Sequence, residues 1–221
     1  NKAEVIENIR QIREELGIAI SDNLYNAENI LLVEGTTDVR SLTKLLCANS
    51  EKINLLIKDG LLVIKPIAGV HNLSSAIRNY QDLLCKNIFV YIDNDTEANI
   101  AKDKVLSEEL ISPEFLLQTI IDGKQESEFE DLIDRNFYNE IFTEPSLKDW
   151  CKHFNCKKYK WSDNIKKYYE NGAIKLTENR LSEIKNEIAK KIEENDMTQS
   201  VLLENHRTSF DALINCIENT V

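Results

Sequence analysis

The sequence predicts an α/β fold: a mostly parallel sheet with helices on both faces, followed by a helical C-terminal region. Three observations predict it. Apolar runs at 30–33, 61–64, 88–92 and 115–117 are short and bounded by polar or turn residues. The stretches between them carry helical spacing, and from about residue 136 the strand signal fades while helical periodicity persists. A strand apolar at every position, rather than at alternate ones, is buried on both faces, which is the condition of a parallel sheet sandwiched between helix layers.

The elements follow in order. Val5, Ile9, Ile12 and Leu16 recur at helical spacing, so residues 3–16 read as an amphipathic helix that Gly17 can end. Ile30 to Val33 form the first strand, and Val39, Leu42, Leu45 and Leu46 outline the helix after it. Leu73, Ala76, Ile77 and Leu83 outline another helix between the second and third strands. Farther on, Leu181, Ile184, Ile188 and Ile192 predict a helix capped by Thr177, and Val201, Phe210, Leu213, Ile214 and Ile217 predict a last segment. The division expected is a linker at 1–24, a core at 25–135 and a helical region at 136–221.

At 221 residues the chain holds one well-buried domain plus an appendage. No apolar run approaches the roughly 20 residues of a membrane-spanning helix. The chain starts at Asn1 without methionine, which predicts a fragment of a longer protein. Five cysteines in no framework spacing suit reduced thiols in a cytoplasm. Cys151, His153 and Cys156 lack a fourth ligand at zinc spacing. The formal charge of −11 argues against a protein that coats nucleic acid, though not against an enzyme that meets phosphates through metal ions. Lys152, Lys157, Lys158, Lys160, Lys166 and Lys167 face a single acid, Asp163, and are interleaved with Phe154, Tyr159 and Trp161. Such a stretch could follow a nucleic-acid backbone, with Lys157, Lys158 and Lys160 as contacts and the aromatics stacking on bases. A lysine-rich solvated surface over a few core aromatics accounts for it equally well.

In a parallel sheet, side chains just past the strand carboxyl ends face one crevice. Glu34 closes the first strand, Gly69 follows the second in "VIKPIAGVHN", and Asp93 and Asp95 close the third in "IFVYIDNDTE". Asp38 lies one helical turn beyond Glu34. Converging carboxylates repel unless a cation neutralises them, and hard oxygen ligands in that number suit Mg²⁺ or Mn²⁺. Each residue also has an ordinary reading. An acid in a first helical turn is favoured by the helix dipole, Asp-Asn-Asp after a strand is turn chemistry, and Gly35 permits a tight bend. His71 reads as a cap for the helix that follows.

The segments "LLVEGTTD" and "VYIDND" resemble the strand-Glu-Gly and Asp-x-Asp motifs of the Toprim family over residues 28–135, and so imply a Toprim-like three-layer α/β/α core. The stretch "REELGIAISDNLYNAENILLVEGTTD", the acid at Asp38 and the downstream "SEFEDLI" are similar to the OLD (overcoming lysogenization defect) nuclease branch. That resemblance implies a metal-dependent endonuclease using two Mg²⁺ or Mn²⁺ ions, with Glu34, Asp38, Asp93, Asp95 and Glu130 as the metal set. Glu128 and Asp131 compete for the last place. It implies a lysine too: "EIKNEIAKKI" suggests Lys185, with Lys160 and Lys175 as alternatives. DNA is the implied substrate, with RNA such as tRNA, or a non-catalytic metal-binding module, as alternatives. No Gly-x-x-x-x-Gly-Lys loop occurs in the chain, so the ATP-hydrolysing ABC-type domain of that branch is expected elsewhere, in cis or in trans. Homo-oligomerisation of the full-length protein and a role in phage defence are further implications.

Overall fold

The computed structural model describes residues 28–83, 85–142, 158–196 and 201–221. The helix expected at 3–16 and the Cys151–His153–Cys156 group lie outside the described residues. Four strands, β1 (Asn29–Val33), β2 (Leu62–Pro66), β3 (Asn87–Ile92) and β4 (Leu116–Gln118), form one sheet in the order β2-β1-β3-β4. All neighbours are parallel, with Val33 opposite both Pro66 and Tyr91. The α/β class, the parallel sheet flanked by helices and the helical C-terminal region are as expected from the sequence.

Residues of β1 alternate between two cores, and this is why Ile30 to Val33 are all apolar. Leu31 and Val33 enter one cluster with Leu42, Leu45, Ile184 and Phe210, whereas Ile30 and Leu32 enter the other with Ile77, Ala98 and Val105. All five residues of the strand are buried. β2 lies at the sheet edge and alternates buried with half-buried positions, and Pro66, which has no N–H to donate, ends it.

Helix α1 (Thr36–Asn49) follows β1, with Gly35 at its N-cap. Ser50 ends α1 and starts α2 (Glu51–Lys58), its Oγ accepting from Ile53 N at 3.0 Å. Helices α3 (Leu73–Asp82) and α4 (Thr96–Ser107) cover the Ile30/Leu32 face. The opposite face carries α1 and the C-terminal helices α6 (Trp161–Asn171), α7 (Glu178–Glu194) and α8 (Thr208–Thr220), and Phe137 and Tyr138 of the short α5 (Arg135–Tyr138) join the same apolar cluster. Thr177 caps α7 through its hydroxyl, which accepts from Arg180 N at 3.2 Å. Apolar packing thus runs without a break across the 135/136 boundary. No helix among the described residues is long and apolar enough to cross a membrane.

Three local readings are corrected. Gly35 is not demanded by a bend: its backbone is extended, at φ −130° and ψ 171°, a conformation open to any residue. His71 does not cap α3. It sits in a 3₁₀ turn (Val70–Asn72), and the N-cap position falls to Asn72, whose amide instead donates to the carbonyls of Ile67 and Ala68. Trp161 is not a stacking platform: it is buried, and its indole N–H donates to Tyr138 Oη at 3.0 Å.

Candidate metal centre at the sheet edge

The carboxyl ends of β1 and β3 lie side by side because the strands are in register, so the next residue of each chain segment stands at the same crevice. Glu34 follows β1 and Asp93 follows β3, and Asp93 N donates to Glu34 Oε1 at 2.9 Å. The carbonyl of Glu34 accepts from Gly69 N at 3.2 Å, which brings the turn after β2 against the same edge. Gly69 adopts φ +99°, and a Cβ there would stand 2.8 Å from the His71 ring, so this glycine is required by the backbone.

Asp38 turns back over the start of α1, accepting from Gly35 N at 2.8 Å through Oδ2. Asp93 Oδ1 accepts from Phe129 N at 2.9 Å, and this bond draws the turn Phe129–Leu132 to the crevice. Glu128 and Glu130 flank Phe129 and are both buried. A small cleft lined by Glu34, Asp38, Tyr91, Asp93, Thr119 and Phe129 opens there. From α7, Lys185 reaches in with Nζ 3.1 Å from Glu130 Oε2 and 5.5 Å from the centroid of the Trp161 ring. The contact is an ion pair without hydrogen-bond alignment, so Glu130 Oε2 is a buried oxygen with no donor.

Asp95 and Glu128 meet a second ammonium. Asp95 is the N-cap of α4, accepting from Ala98 N at 2.9 Å through Oδ1, and its Oδ2 pairs with Lys160 Nζ at 2.7 Å. Glu128 Oε1 lies 3.3 Å from the same Nζ, while Ser162 donates to both Glu128 oxygens, from N at 2.8 Å and from Oγ at 2.9 Å. Asp131 stands apart from this group. It forms a buried pair with Lys124 and accepts from Glu128 N and Trp161 N, so it fastens the turn to α6.

Of the residues expected at the site, Glu34, Asp38, Asp93, Asp95, Glu128, Glu130 and Lys185 are therefore gathered at one edge, whereas Asp131 serves the scaffold. Lys160 joins the carboxylates rather than an outer basic surface. Lys158 is exposed, with Nζ 5.7 Å from the centroid of the Tyr159 ring, and Lys167 covers that ring at 3.0 Å. Lys157 lies outside the described residues, and Lys175 is exposed in the loop between α6 and α7.

Charge is unevenly compensated. Burial pushes Glu34 up to about 7, aided by the Asp38 and Asp95 carboxylates and opposed by Asp93 N–H and Lys185. Burial likewise lifts Glu130 to about 7 against the pull of Lys185. Asp38 is raised by burial despite Lys185 and Gly35 N–H, and Asp93 rises well above the usual carboxylate range through burial and then the Glu34 charge. Asp95 and Glu128 go the other way. Burial opposes their ionisation too, but the Lys160 bond at Asp95, and Lys185 with Lys160 at Glu128, hold both below the ordinary value.

Among the described residues no three acidic, histidine or cysteine side chains close into a ready-made metal cage. The donor set nonetheless fits hard divalent cations. Six carboxylates face two ammoniums, an excess of four negative charges when all are ionised, which two divalent ions would neutralise. Glu34, Asp38 and Asp93 are the carboxylates of this set that form no ion pair among the described residues, whereas Glu130 is paired with Lys185.

A pH dependence follows. Acids whose pKa is raised by folding bind protons more tightly in the folded state, so stability is greatest below their ordinary value of 4.5 and is lost as pH climbs through about 7. Asp95 and Glu128, held low, change stability only in the acid range, and Lys160 and Lys185, held high, only in the alkaline range. The metal-free protein is therefore expected to lose on the order of 2–5 kcal/mol between pH 5 and 8. Thermal melts across that range check it: Tm should fall with pH, and saturating Mn²⁺ should shrink the fall. A Tm that rises or stays level in metal-free buffer would contradict the assignment of uncompensated acids.

Comparison of the chain with protein-family models, with curated proteins and with solved structures finds no match.

Proposed function

We propose that the chain is a Toprim-type nuclease domain of the OLD branch, a Mg²⁺- or Mn²⁺-dependent endonuclease hydrolysing DNA phosphodiesters. The observation that carries this reading is the convergence of Glu34, Asp38, Asp93 and Glu130 with Lys185 at one strand-end crevice, although 96 positions separate Glu34 from Glu130 in the sequence.

Glu34, Asp38, Asp93 and Glu130 would hold divalent cations, with Asp95 and Glu128 on the adjoining side. Bound cations would supply charge neutralisation and an activated water. The chain's own residues supply the frame. Asp93 N–H fixes the orientation of Glu34, and Phe129 N–H fixes that of Asp93. Lys185 keeps its ammonium beside Glu130 and offsets negative charge that develops on a phosphate at this edge. An ABC-type ATPase domain in cis or in trans, oligomerisation of the full-length protein and antiphage defence belong to the same proposal through the likeness of its motifs. The cytoplasmic setting is supported by the free thiols of Cys47, Cys85 and Cys216.

Incubating the protein with plasmid, single-stranded DNA and tRNA in Mg²⁺ or Mn²⁺ tests the reaction and separates DNA from RNA as substrate. Metal-dependent cleavage by the parent and its loss in Glu34→Ala are expected. Equal cleavage by Glu34→Ala would remove Glu34 from the mechanism. The two ammoniums among the acids favour one alternative, a non-catalytic module whose acids order the protein. It predicts a Tm raised by Mn²⁺ with no cleavage of any of the three substrates.

A further inference from the structure

We propose that Lys160 is a built-in counter-ion that competes with a divalent cation for Asp95 and Glu128, so that this side of the site loads metal only as Lys160 withdraws. The inference rests on the metal-binding reading of the crevice and adds to it an order of loading.

Three separate segments meet in this contact. Asp95 caps α4, Glu128 precedes the Phe129–Leu132 turn, and Lys160 precedes α6. One Nζ lies 2.7 Å from Asp95 Oδ2 and 3.3 Å from Glu128 Oε1, so a single positive charge bridges two carboxylates. The bridged oxygens are the ones a cation would take from the ammonium, and Glu128 Oε1 accepts from Ser162 Oγ at 2.9 Å as well. The other oxygen of each acid is taken by a main-chain donor, Ala98 N for Asp95 and Ser162 N for Glu128. Those two bonds hold the carboxylates in place whether or not the ammonium is present. Glu130 Oε2, buried and ion-paired with Lys185 but without an aligned hydrogen bond, adds a further carboxylate oxygen to the same crevice.

The two sides of the crevice differ in charge compensation. Asp95 and Glu128 are held below the ordinary carboxylate value and are ionised beside their lysine, whereas Glu34, Asp38 and Asp93 are raised. A first cation therefore gains most at the Glu34–Asp93 side, and a second must displace an ammonium already in place. Displacement is open to Lys160. Lysine carries a compact charge on a flexible four-carbon stem, and this side chain is 21% exposed, which leaves it a way out to solvent. An acid pair free of its lysine only about one-tenth of the time binds metal about tenfold more weakly than the bare pair.

Titration calorimetry with Mn²⁺ at pH 7.5, on the full chain and on Lys160→Met and Lys160→Gln, tests the inference. The parent is expected to show one stronger and one weaker binding event, and both variants to strengthen the weaker event by about tenfold while leaving the stronger one unchanged. Lys160→Gln retains N–H donors toward Asp95 and Glu128, so it carries the test if Lys160→Met fails to fold. An unchanged or weakened second event in the variants would overturn the competition while leaving the metal site standing. Loss of folding in both variants, seen by circular dichroism, would make Lys160 a structural tether and overturn it as well. Absence of Mn²⁺ binding in the parent and in both variants would overturn the metal reading itself, and the competition with it.

Discussion

Asp93→Asn is expected to weaken Mn²⁺ binding by more than about 100-fold and to remove cleavage, while the metal-free protein melts above the parent near pH 8. The reason is the position of Asp93 between the other acids. Its carboxyl rises well above the usual range because it is buried and then because the Glu34 charge adjoins it. Asparagine removes that charge and still offers Oδ1 to Phe129 N, the bond that holds the turn at the crevice. Stability thus rises as metal binding falls, a combination that a merely disrupted fold would not give. Residues outside a metal's own ligand set already account for about 10- to 100-fold in affinity, so loss of a direct ligand should exceed that. Calorimetry with Mn²⁺ and a thermal melt check both halves. Parent-like affinity in Asp93→Asn would show that Asp93 is not a ligand.

The second large effect is on the scaffold. Lys124→Met is expected to destabilise the protein by about 3–5 kcal/mol, because it leaves Asp131 charged, buried and without its partner. The two side chains are only 4% and 2% exposed. Asp131 Oδ2 also accepts from Glu128 N at 3.0 Å and Trp161 N at 3.1 Å, and Lys124 donates to the Tyr159 carbonyl at 2.9 Å. One ion pair therefore joins the β4–turn connection, the Glu128 turn and the start of α6, and it also seats Lys160 beside Asp95. Urea denaturation measures the loss, and adding Asp131→Asn to Lys124→Met should recover part of it by removing the stranded charge. A loss below about 1 kcal/mol would show that water reaches Asp131 and that the pair is not a structural clasp.

Much of this arrangement was legible because it depends on periodicity. All four strands lie within a residue or two of the apolar runs, and the match is clearest for the inner strands β1 and β3, whose runs Ile30–Val33 and Phe89–Ile92 are buried on both faces. Helix α7 and its Thr177 cap were legible for the corresponding helical reason. Helix α4 was not, because only Ala98 and Val105 of its twelve residues are buried and Ile100 points to solvent. In α6 the lysines masked a core stripe, Trp161, Ile165, Tyr168 and Tyr169, whose spacing was helical throughout. That stripe is the signal that would have placed Trp161 in the core and away from nucleic acid.

The site divides the same way. Glu34 and Asp93 follow strand ends, so the rule for parallel sheets locates them together before any coordinates exist. Glu128, Glu130 and Asp131 lie within four positions of one another, and spacing cannot tell a crevice acid from a scaffold acid. Tertiary partners decide it: Ser162 for Glu128, Lys185 for Glu130 and Lys124 for Asp131. Lys158 and Lys160 differ for the same reason, one exposed beside Tyr159 and the other drawn between Asp95 and Glu128.

Anomalous diffraction from crystals grown with Mn²⁺ tests the central claim most directly. The account predicts a manganese peak within bonding distance of both the Glu34 and Asp93 carboxylates. Saturating Mn²⁺ with no peak at that crevice, while Glu34 still accepts from Asp93 N, would contradict it.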